Sequence, residues 1–222
     1  MALTIESTVA LRNGIQMPRL QFGVYQSKSP VQSTTKALEA GYVAIDTARY
    51  YYNQAEVGEA VRDFKHKTGS SKGIWLTSKV FGSDHGTKRT DLAVEESITE
   101  LVPSGQKWSL YLLHDATSGA QARLEAWRVL EDKVAEGKIG CAGVSNFSDK
   151  HLQQFKDAGV RSMPLVNQIE LHPWCQQKPI VEYCQKEGIV VQAYCPLVRG
   201  QRMSDPTLQA VAKEVGKTPG QV

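Results

Sequence analysis

The stretch Ile74-Trp75-Leu76-Thr77-Ser78-Lys79-Val80 is largely apolar and does not alternate between polar and apolar residues. This pattern is typical of a strand buried on both faces of a parallel sheet. Seven such runs occur along the chain, at residues 20–25, 42–45, 74–80, 108–113, 139–144, 165–169 and 189–194. Stretches with helical periodicity follow them, at residues 30–40, 55–64, 90–101, 121–136, 150–158, 179–187 and 207–215. The alternation predicts an α/β fold with a parallel sheet, either an open doubly wound sheet or a barrel.

The chain begins differently, with residues 8–17 forming two short apolar runs around Asn13-Gly14. An Asn-Gly pair favours a tight hairpin turn, so we expect a β-hairpin that covers one end of a barrel. No long linker and no change of composition interrupts the chain. We therefore expect residues 1–222 to form a single domain.

The composition excludes several classes of protein. The 222 residues include 26 Lys plus Arg and 23 Asp plus Glu, a net charge of +3 that is too small to indicate nucleic acid or a membrane as the main partner. No apolar run reaches the roughly 18 residues of a membrane span, and residues 1–6 do not resemble a secretion signal. The expected location is the cytoplasm. The cysteines show neither CxxC nor zinc-ligand spacing, so we expect reduced thiols and no metal site: Cys141, Cys175, Cys184 and Cys195.

Ionisable residues interrupt the ends of three consecutive apolar runs. Asp46 ends the second run, Lys79 lies near the end of the third, and His114 follows the fourth. Equivalent ends of successive parallel strands lie side by side, so these residues are expected to meet at the carboxyl face of the sheet. Each residue alone has an ordinary structural explanation, as a turn cap, a lysine reaching water or a core histidine. Three in register favour a functional site.

Tyr51 adds a proton donor to this set, because it lies on the loop that leaves the strand ending at Asp46. A phenol has a pKa of about 10, and an adjacent ammonium group lowers it. Asp46, Lys79 and Tyr51 together therefore indicate a general acid whose pKa is lowered by Lys79. Tyr50 and Tyr52 flank it, and chemistry alone does not choose among the three tyrosines.

Longer motifs extend the pattern along the chain. In order they are Asp46-Thr47-Ala48, Thr77-Ser78-Lys79, Leu112-Leu113-His114, Gly143-Val144-Ser145-Asn146-Phe147, Asn167-Gln168-Ile169-Glu170-Leu171-His172-Pro173 and Ala193-Tyr194-Cys195-Pro196-Leu197. Together they resemble the aldo-keto reductase family, and specifically its fungal-type aldehyde and ketone reductases. The resemblance implies a (β/α)8 barrel, of the TIM type, with an N-terminal hairpin and a nicotinamide cofactor bound without a Rossmann domain. In agreement, the sequence has no G-x-G-x-x-G fingerprint.

The resemblance also implies roles for individual residues. The catalytic set is Asp46, Tyr51, Lys79 and His114, and Tyr51 is then the proton donor when hydride passes from the nicotinamide to a small-molecule carbonyl substrate. The implied cofactor-binding residues are Gly23, Val24, Asp46, Ser145, Asn146, Gln168, Tyr194, Pro196, Leu197 and Arg199. The implied substrate pocket consists of Tyr25, Trp75, Phe81, His114 and Trp174.

Two departures from the family pattern bear on these expectations. The connection at residues 102–109 is unusual and could shift the register of His114. The sequence stops at Val222, before the segment that in the family supplies the eighth strand and a basic stretch for the 2′-phosphate of NADP. We therefore expect a barrel without its last βα unit, exposed strand edges, and a monomer if the barrel closes. NADP rests on the resemblance alone, which leaves NAD open.

Three functional hypotheses follow. The leading one is an NADP-dependent reductase of aldehydes or ketones. The second is an inactive truncated barrel that binds a cofactor or a partner. The third makes Lys79 the Schiff-base nucleophile of a barrel lyase.

Overall fold

The structure is a computed structural model that describes residues 3–222. It begins with an antiparallel hairpin of two strands, β1 (Thr8–Ala10) and β2 (Gln16–Pro18). Gly14 lies in the turn between them with a φ of 86°, a conformation that glycine adopts without strain. The predicted hairpin is thus confirmed.

Seven parallel strands follow the hairpin and form one sheet in chain order. They are β3 (Phe22–Gly23), β4 (Ala44–Asp46), β5 (Trp75–Val80), β6 (Leu110–Leu113), β7 (Cys141–Ser145), β8 (Val166–Glu170) and β9 (Val190–Tyr194). The helices are α1 (Pro30–Glu39), α2 (Gln54–Thr68), α3 (Thr87–Leu101), α4 (Ala120–Ala135), α5 (Asp149–Asp157), α6 (Lys178–Lys186) and α7 (Pro206–Glu214). The predicted α/β fold with parallel strands is confirmed.

The helices begin and end where local chemistry predicts. Ser29 occupies the N-cap of α1 and Pro30 its first turn, although the Ser29 hydroxyl makes no capping hydrogen bond. Helix α1 stops before Gly41, whose φ is 95°. Helix α2 runs four residues beyond the predicted end. The prediction stopped early because the last turn is charged and shows no apolar periodicity. The helix ends at Gly69, which has the left-handed conformation.

The core has two layers, as expected for a barrel. The larger layer packs the outer face of the sheet against the helices and includes Trp127, Leu130 and Phe155. The smaller one fills the inside of the curved sheet beneath the hairpin, and it consists of Leu11, Met17, Leu110, Leu112, Cys141 and Val166. The hairpin therefore covers the amino ends of the strands, as predicted.

Arg12, on the hairpin, joins it to the far end of the chain. Its guanidinium donates to the carbonyl oxygen of Met163 at 2.7 Å and to that of Glu187 at 2.8 Å. These carbonyls precede strands β8 and β9, so one side chain connects the N-terminal hairpin to the last two strands of the sheet.

The sheet curls so far that side chains from β4 and β8 meet inside it. Gln168 Nε2 donates to Asp46 Oδ2 at 2.8 Å across the interior. The sheet nevertheless does not close within residues 3–222, because β3 and β9 are its two edges. The seam between them holds a cavity of about 660 Å³, lined by both edges and by the hairpin residues Val9 and Met17. The fold is a (β/α)8-type barrel that lacks its eighth strand in the described residues.

Among residues 3–222, none of the helices combines the length and the apolar character needed to cross a membrane.

Candidate active site

The carboxyl ends of β4, β5 and β6 bring Asp46, Lys79 and His114 to one face of the barrel. Parallel pairing aligns Asp46 with Thr77 and Lys79 with Leu112. The His114 amide donates to the Val80 carbonyl at 2.8 Å, so the unusual connection before β6 does not shift its register. The predicted convergence of these three side chains is present in the structure.

Lys79 is completely buried, and its ammonium group has three oxygen partners. It forms an ion pair with Asp46 Oδ1, donates to the Thr47 carbonyl at 2.9 Å, and lies 3.4 Å from Tyr51 Oη. A buried ammonium is stable only when such partners replace water. Lys79 therefore holds both the carboxylate and the phenol in place.

A short 3₁₀ turn, Arg49–Tyr51, carries the phenol from the end of β4 back towards Lys79. Asn53 fixes the loop that follows: its Oδ1 accepts from Thr47 Oγ1 at 2.5 Å and its Nδ2 donates to the Val24 carbonyl at 3.1 Å. Among the three tyrosines, only Tyr51 reaches Lys79 Nζ within hydrogen-bond distance. Tyr50 stacks on Phe81 instead, and Tyr52 is 83% exposed.

The pKa of Tyr51 differs from the sequence-based expectation. Burial raises the pKa of its phenol well above the ordinary value, and the Asp46 carboxylate raises it further. Burial also lowers the pKa of Lys79, against the opposing effect of Asp46. The expected lowering of the Tyr51 pKa is not found in this structure, because burial and the Asp46 carboxylate raise it. Tyr51 keeps its proton at neutral pH.

His114 lies against Tyr51 and Phe81, with ring centroids 5.6 Å and 5.5 Å from its own. Burial, and secondly the charge of Lys79, lower the pKa of His114 to about 3. Its imidazole is therefore neutral at physiological pH, with one N–H to donate and no charge of its own. His114 Nδ1 is buried without a hydrogen-bond partner in the described part of the chain.

Polar side chains from β7, β8 and β9 line the opposite side of this face. Asn146 Oδ1 accepts from Tyr194 Oη at 2.9 Å, and Asn146 Nδ2 donates to the His114 carbonyl at 3.0 Å. Asn146 has a φ of 59°, the left-handed conformation that asparagine tolerates better than most residues. Gln168 Nε2 donates to Asp46 Oδ2 at 2.8 Å and to Gln192 Oε1 at 3.1 Å.

These side chains surround a cavity of about 510 Å³. The predicted residues that line it are Gly23, Tyr25, Asp46, Tyr51, Phe81, His114, Ser145, Asn146, Gln168, Tyr194 and Arg199. Lys79 lies beneath the cavity floor, where it touches the Tyr51 ring. The seam cavity shares Gly23, Asp46, Gln168, Tyr194 and Cys195 with this one, so the two spaces adjoin.

Besides Lys79, five predicted site residues do not line this cavity. Trp75 begins β5 at the amino end of the strand and packs on the inner core. It lies four residues before Lys79, a separation of about 13 Å along a strand. Its assignment to the substrate pocket is therefore wrong in this structure. Trp174 lies under the Arg202 guanidinium at 5.7 Å, away from the cavity. Val24 is buried in the outer core, Leu197 is half exposed, and Pro196 lines only the seam cavity.

Four residues that sequence reasoning did not select belong to the site. Gln26, Tyr50 and Cys195 line the cavity, and Gln192 contacts Gln168. Tyr50 could have been found from its place beside Tyr51. Gln26 and Cys195 line the cavity from loops in which their φ values are 58° and 50°, a left-handed conformation that the sequence does not predict for these residue types.

The residues present fit a nicotinamide group. A nicotinamide carboxamide needs a hydrogen-bond acceptor for its amino group, and Gln168 Oε1 has no hydrogen bond within residues 3–222. The backbone of Gly23 borders the cavity with no atom within 4 Å of where a β-carbon would lie, so a flat ring can approach it closely. Tyr194 supplies an aromatic ring in the same wall.

Comparisons with known proteins identify the family. The model of the Aldo/keto reductase family matches residues 19–219. An oxidoreductase of Schizosaccharomyces pombe is 37% identical over 220 residues, which cover 97% of this chain and 78% of the relative. The glyoxal reductase of Bacillus subtilis is 35% identical over 226 residues, with 100% and 79% coverage. A crystal structure of a Bombyx mori aldo-keto reductase in complex with NADP has a TM-score of 0.84 at 30% identity, covering 96% of this chain and 77% of that one.

The parallel-stranded barrel, and the oxidoreductases among its relatives, define the class of this protein as an oxidoreductase. The chain belongs to the aldo/keto reductase family.

Proposed function

We propose that this protein is an NADP-dependent reductase that converts a small aldehyde or ketone into an alcohol. The observation that carries the proposal is the grouping of Tyr51 Oη, 3.4 Å from the buried Lys79 ammonium, with a neutral His114 at one cavity. A protonated phenol beside a neutral imidazole offers two hydrogen-bond donors to one carbonyl oxygen, which is the arrangement that carbonyl reduction requires.

A reduced nicotinamide, when bound, supplies the hydride that the protein cannot supply. The protein supplies the proton and the orientation. The phenol of Tyr51 is protonated at neutral pH, and it transfers that proton to the oxygen of the substrate as negative charge develops there. His114 donates a hydrogen bond to the same oxygen, and Lys79 stabilises the phenolate that remains, while Asp46 holds Lys79 in place.

The cofactor assignment rests on both the site and the family. We assign the nicotinamide end to Gly23, Ser145, Asn146, Gln168 and Tyr194, and the start of the loop over the phosphates to Pro196, Leu197 and Arg199. NADP is supported by the Bombyx mori aldo-keto reductase in complex with NADP. A small carbonyl substrate is supported by the glyoxal reductase of Bacillus subtilis and by the aromatic wall of Tyr25, Tyr50 and Phe81.

The lyase alternative, with Lys79 as a nucleophile, fits the geometry poorly. A Schiff-base lysine needs a free amine that faces the substrate. Lys79 Nζ instead contacts three protein oxygens beneath the cavity.

Tyr51→Phe tests the proposal. We expect it to abolish the decrease in nicotinamide absorbance that follows addition of an aromatic or α-dicarbonyl aldehyde, because the phenyl ring has no proton to donate. NADPH binding, measured by fluorescence titration, should be retained. Tyr52→Phe is the matched control and should reduce substrates normally, since Tyr52 is exposed and outside the cavity. Equal turnover by both variants would refute the role of Tyr51, and a wild-type chain that binds NADPH without turnover would support the non-catalytic alternative.

A further inference from the structure

Gln192 is a polar side chain that contacts the proposed cofactor site but has no role in the proposed mechanism. It lies on β9, paired with Gln168 of β8 in the parallel register, and side chains at such paired positions point to the same face of a sheet. Gln168 points into the barrel, where it reaches Asp46, so Gln192 points inward too. Gln192 Oε1 accepts a hydrogen bond from Gln168 Nε2 at 3.1 Å.

Two hydrogen bonds together define the orientation of the Gln168 amide. An amide nitrogen carries two hydrogens, and here one goes to Asp46 Oδ2 at 2.8 Å and the other to Gln192 Oε1. The Asp46 carboxylate decides which end of the amide faces it, since a carboxylate only accepts hydrogen bonds. Gln192 then fixes the rotation of the amide about that first bond. Gln168 Oε1 is left without a hydrogen bond in the described part of the chain, as an acceptor of defined direction.

We propose that Gln192 is a positioning residue for the cofactor site: it locks the plane of the Gln168 carboxamide so that Gln168 Oε1 accepts from the amino group of the nicotinamide carboxamide. This inference rests on the proposed function, because it requires a nicotinamide in the cavity. The same contacts continue through Asp46 to the ion pair with Lys79, so Gln192 supports the carboxylate that holds the ammonium.

The position of Gln192 makes this role testable without disturbing the core. Its side chain is only partly buried, and it lines the seam cavity between the two sheet edges. A methionine has nearly the same length and volume but offers only a weak acceptor. With Gln192→Met, one Gln168 hydrogen loses its acceptor and the amide becomes free to rotate. The direction of Gln168 Oε1 is then no longer defined.

The experiment compares two ligands on each variant by fluorescence titration. NADPH contains the nicotinamide, whereas 2′-phospho-ADP-ribose is the same molecule without it. For Gln192→Met we expect the Kd of NADPH to rise about fivefold to tenfold, the size of one lost hydrogen bond, while the Kd of the fragment stays unchanged. Gln185→Met is the matched control, because Gln185 also lines the seam cavity but is exposed and makes no side-chain hydrogen bond within residues 3–222.

A second variant keeps the test decisive if methionine disturbs folding. Gln192→Glu retains an oxygen acceptor at the same reach and should keep the wild-type ratio of the two Kd values. If Gln192→Met keeps the wild-type ratio of the two Kd values, with or without an equal loss of affinity for both ligands, the role of Gln192 is refuted. The proposed function is not affected by that result. A wild-type chain that binds NADPH no better than the fragment, or that keeps turnover in Tyr51→Phe, overturns the proposed function itself.

Discussion

The ammonium of Lys79 is the group on which the candidate site depends most. It is fully buried, and Asp46 is its only charged partner within residues 3–222. Removing one member of a buried ion pair leaves the other charge without compensation, which is more damaging than replacing both. The pair therefore contributes to folding as well as to the orientation of Tyr51.

We expect Asp46→Asn to lower the free energy of unfolding by about 3 kcal/mol at neutral pH, because it leaves a buried ammonium without its carboxylate. Urea unfolding followed by circular dichroism measures this difference. The control is Asp63→Asn, which removes an exposed ion pair with Arg62 and should not change the unfolding midpoint. Equal stability of Asp46→Asn and the wild type would show that Lys79 folds as a neutral amine.

His114 makes the stability of the folded protein depend on pH. Its pKa is about 3 in the folded protein and about 6.5 when unfolded, so between these values the unfolded chain binds the additional proton. Stability should therefore fall as pH decreases from about 6.5 towards 3. His114→Asn removes this contribution, and its unfolding free energy should depend less steeply on pH over that window. Denaturant titrations at several pH values test this, and parallel pH curves for the two proteins would contradict it.

At the residue scale, sequence reasoning identified the residue types but not their surroundings. Asp46, Tyr51, Lys79 and His114 were predicted from strand ends and family motifs, and the structure groups them at one cavity. The direction of the Tyr51 pKa was predicted wrongly, because burial depends on packing contributed by distant segments. Gln192 was missed for the same reason, since its partner lies on another strand.

At the scale of elements, the order and types of strands and helices were predictable, while their lengths were less so. All seven predicted strands are present, but β3 is only two residues long. Apolar periodicity locates a buried strand, whereas its length depends on pairing with neighbours that the local sequence does not specify.

Gly143 lies where β7 packs closely against its neighbouring strands. A β-carbon added there would lie 2.7 Å from the Val166 carbonyl oxygen and 2.8 Å from Leu112 Cδ2. We expect Gly143→Ala to destabilise the protein by about 1–3 kcal/mol, since the backbone of β8 must move. Gly73→Ala is the control, because a β-carbon at Gly73 meets no atom within 4 Å and the residue has no positive φ. Thermal unfolding that shifts equally in both variants would argue against close packing at β7.

At the scale of the whole molecule, the seam between β3 and β9 is the main departure from a closed barrel. Each of these strands has one neighbour within residues 3–222, so each presents unpaired backbone groups. We propose that residues 1–222 nevertheless form one domain, since the candidate site uses side chains from Asp46 to Tyr194 and cannot be divided. The family resemblance predicted the missing strand, but only the structure shows that the residues proposed for the nicotinamide end are assembled without it.

Because the seam leaves strand edges exposed, we expect the protein to associate with itself. For a chain of residues 1–222 we expect concentration-dependent self-association through the exposed edge of β9, and Ala193→Lys should reduce it by placing a charge on that edge. Sedimentation velocity over a range of concentrations measures the effect. Leu92→Lys replaces an exposed apolar residue on α3 and should leave association unchanged. A wild-type chain that is monomeric at every concentration would show that the edge is protected.

The two hydrogen bonds of Arg12 have a consequence for the time course of folding. The arginine belongs to the first hairpin of the chain, but its acceptors, Met163 and Glu187, lie 151 and 175 residues later. During synthesis the ribosome completes these acceptors long after the hairpin has emerged, and an isolated two-stranded hairpin is only marginally stable in water. The two hydrogen bonds of Arg12 can therefore form only after residue 187 has been made, whereas the contacts of Leu11 and Met17 with Leu110, Leu112 and Cys141 involve earlier segments. The hairpin thus acquires its full set of native contacts only when the segments before both β8 and β9 have been made.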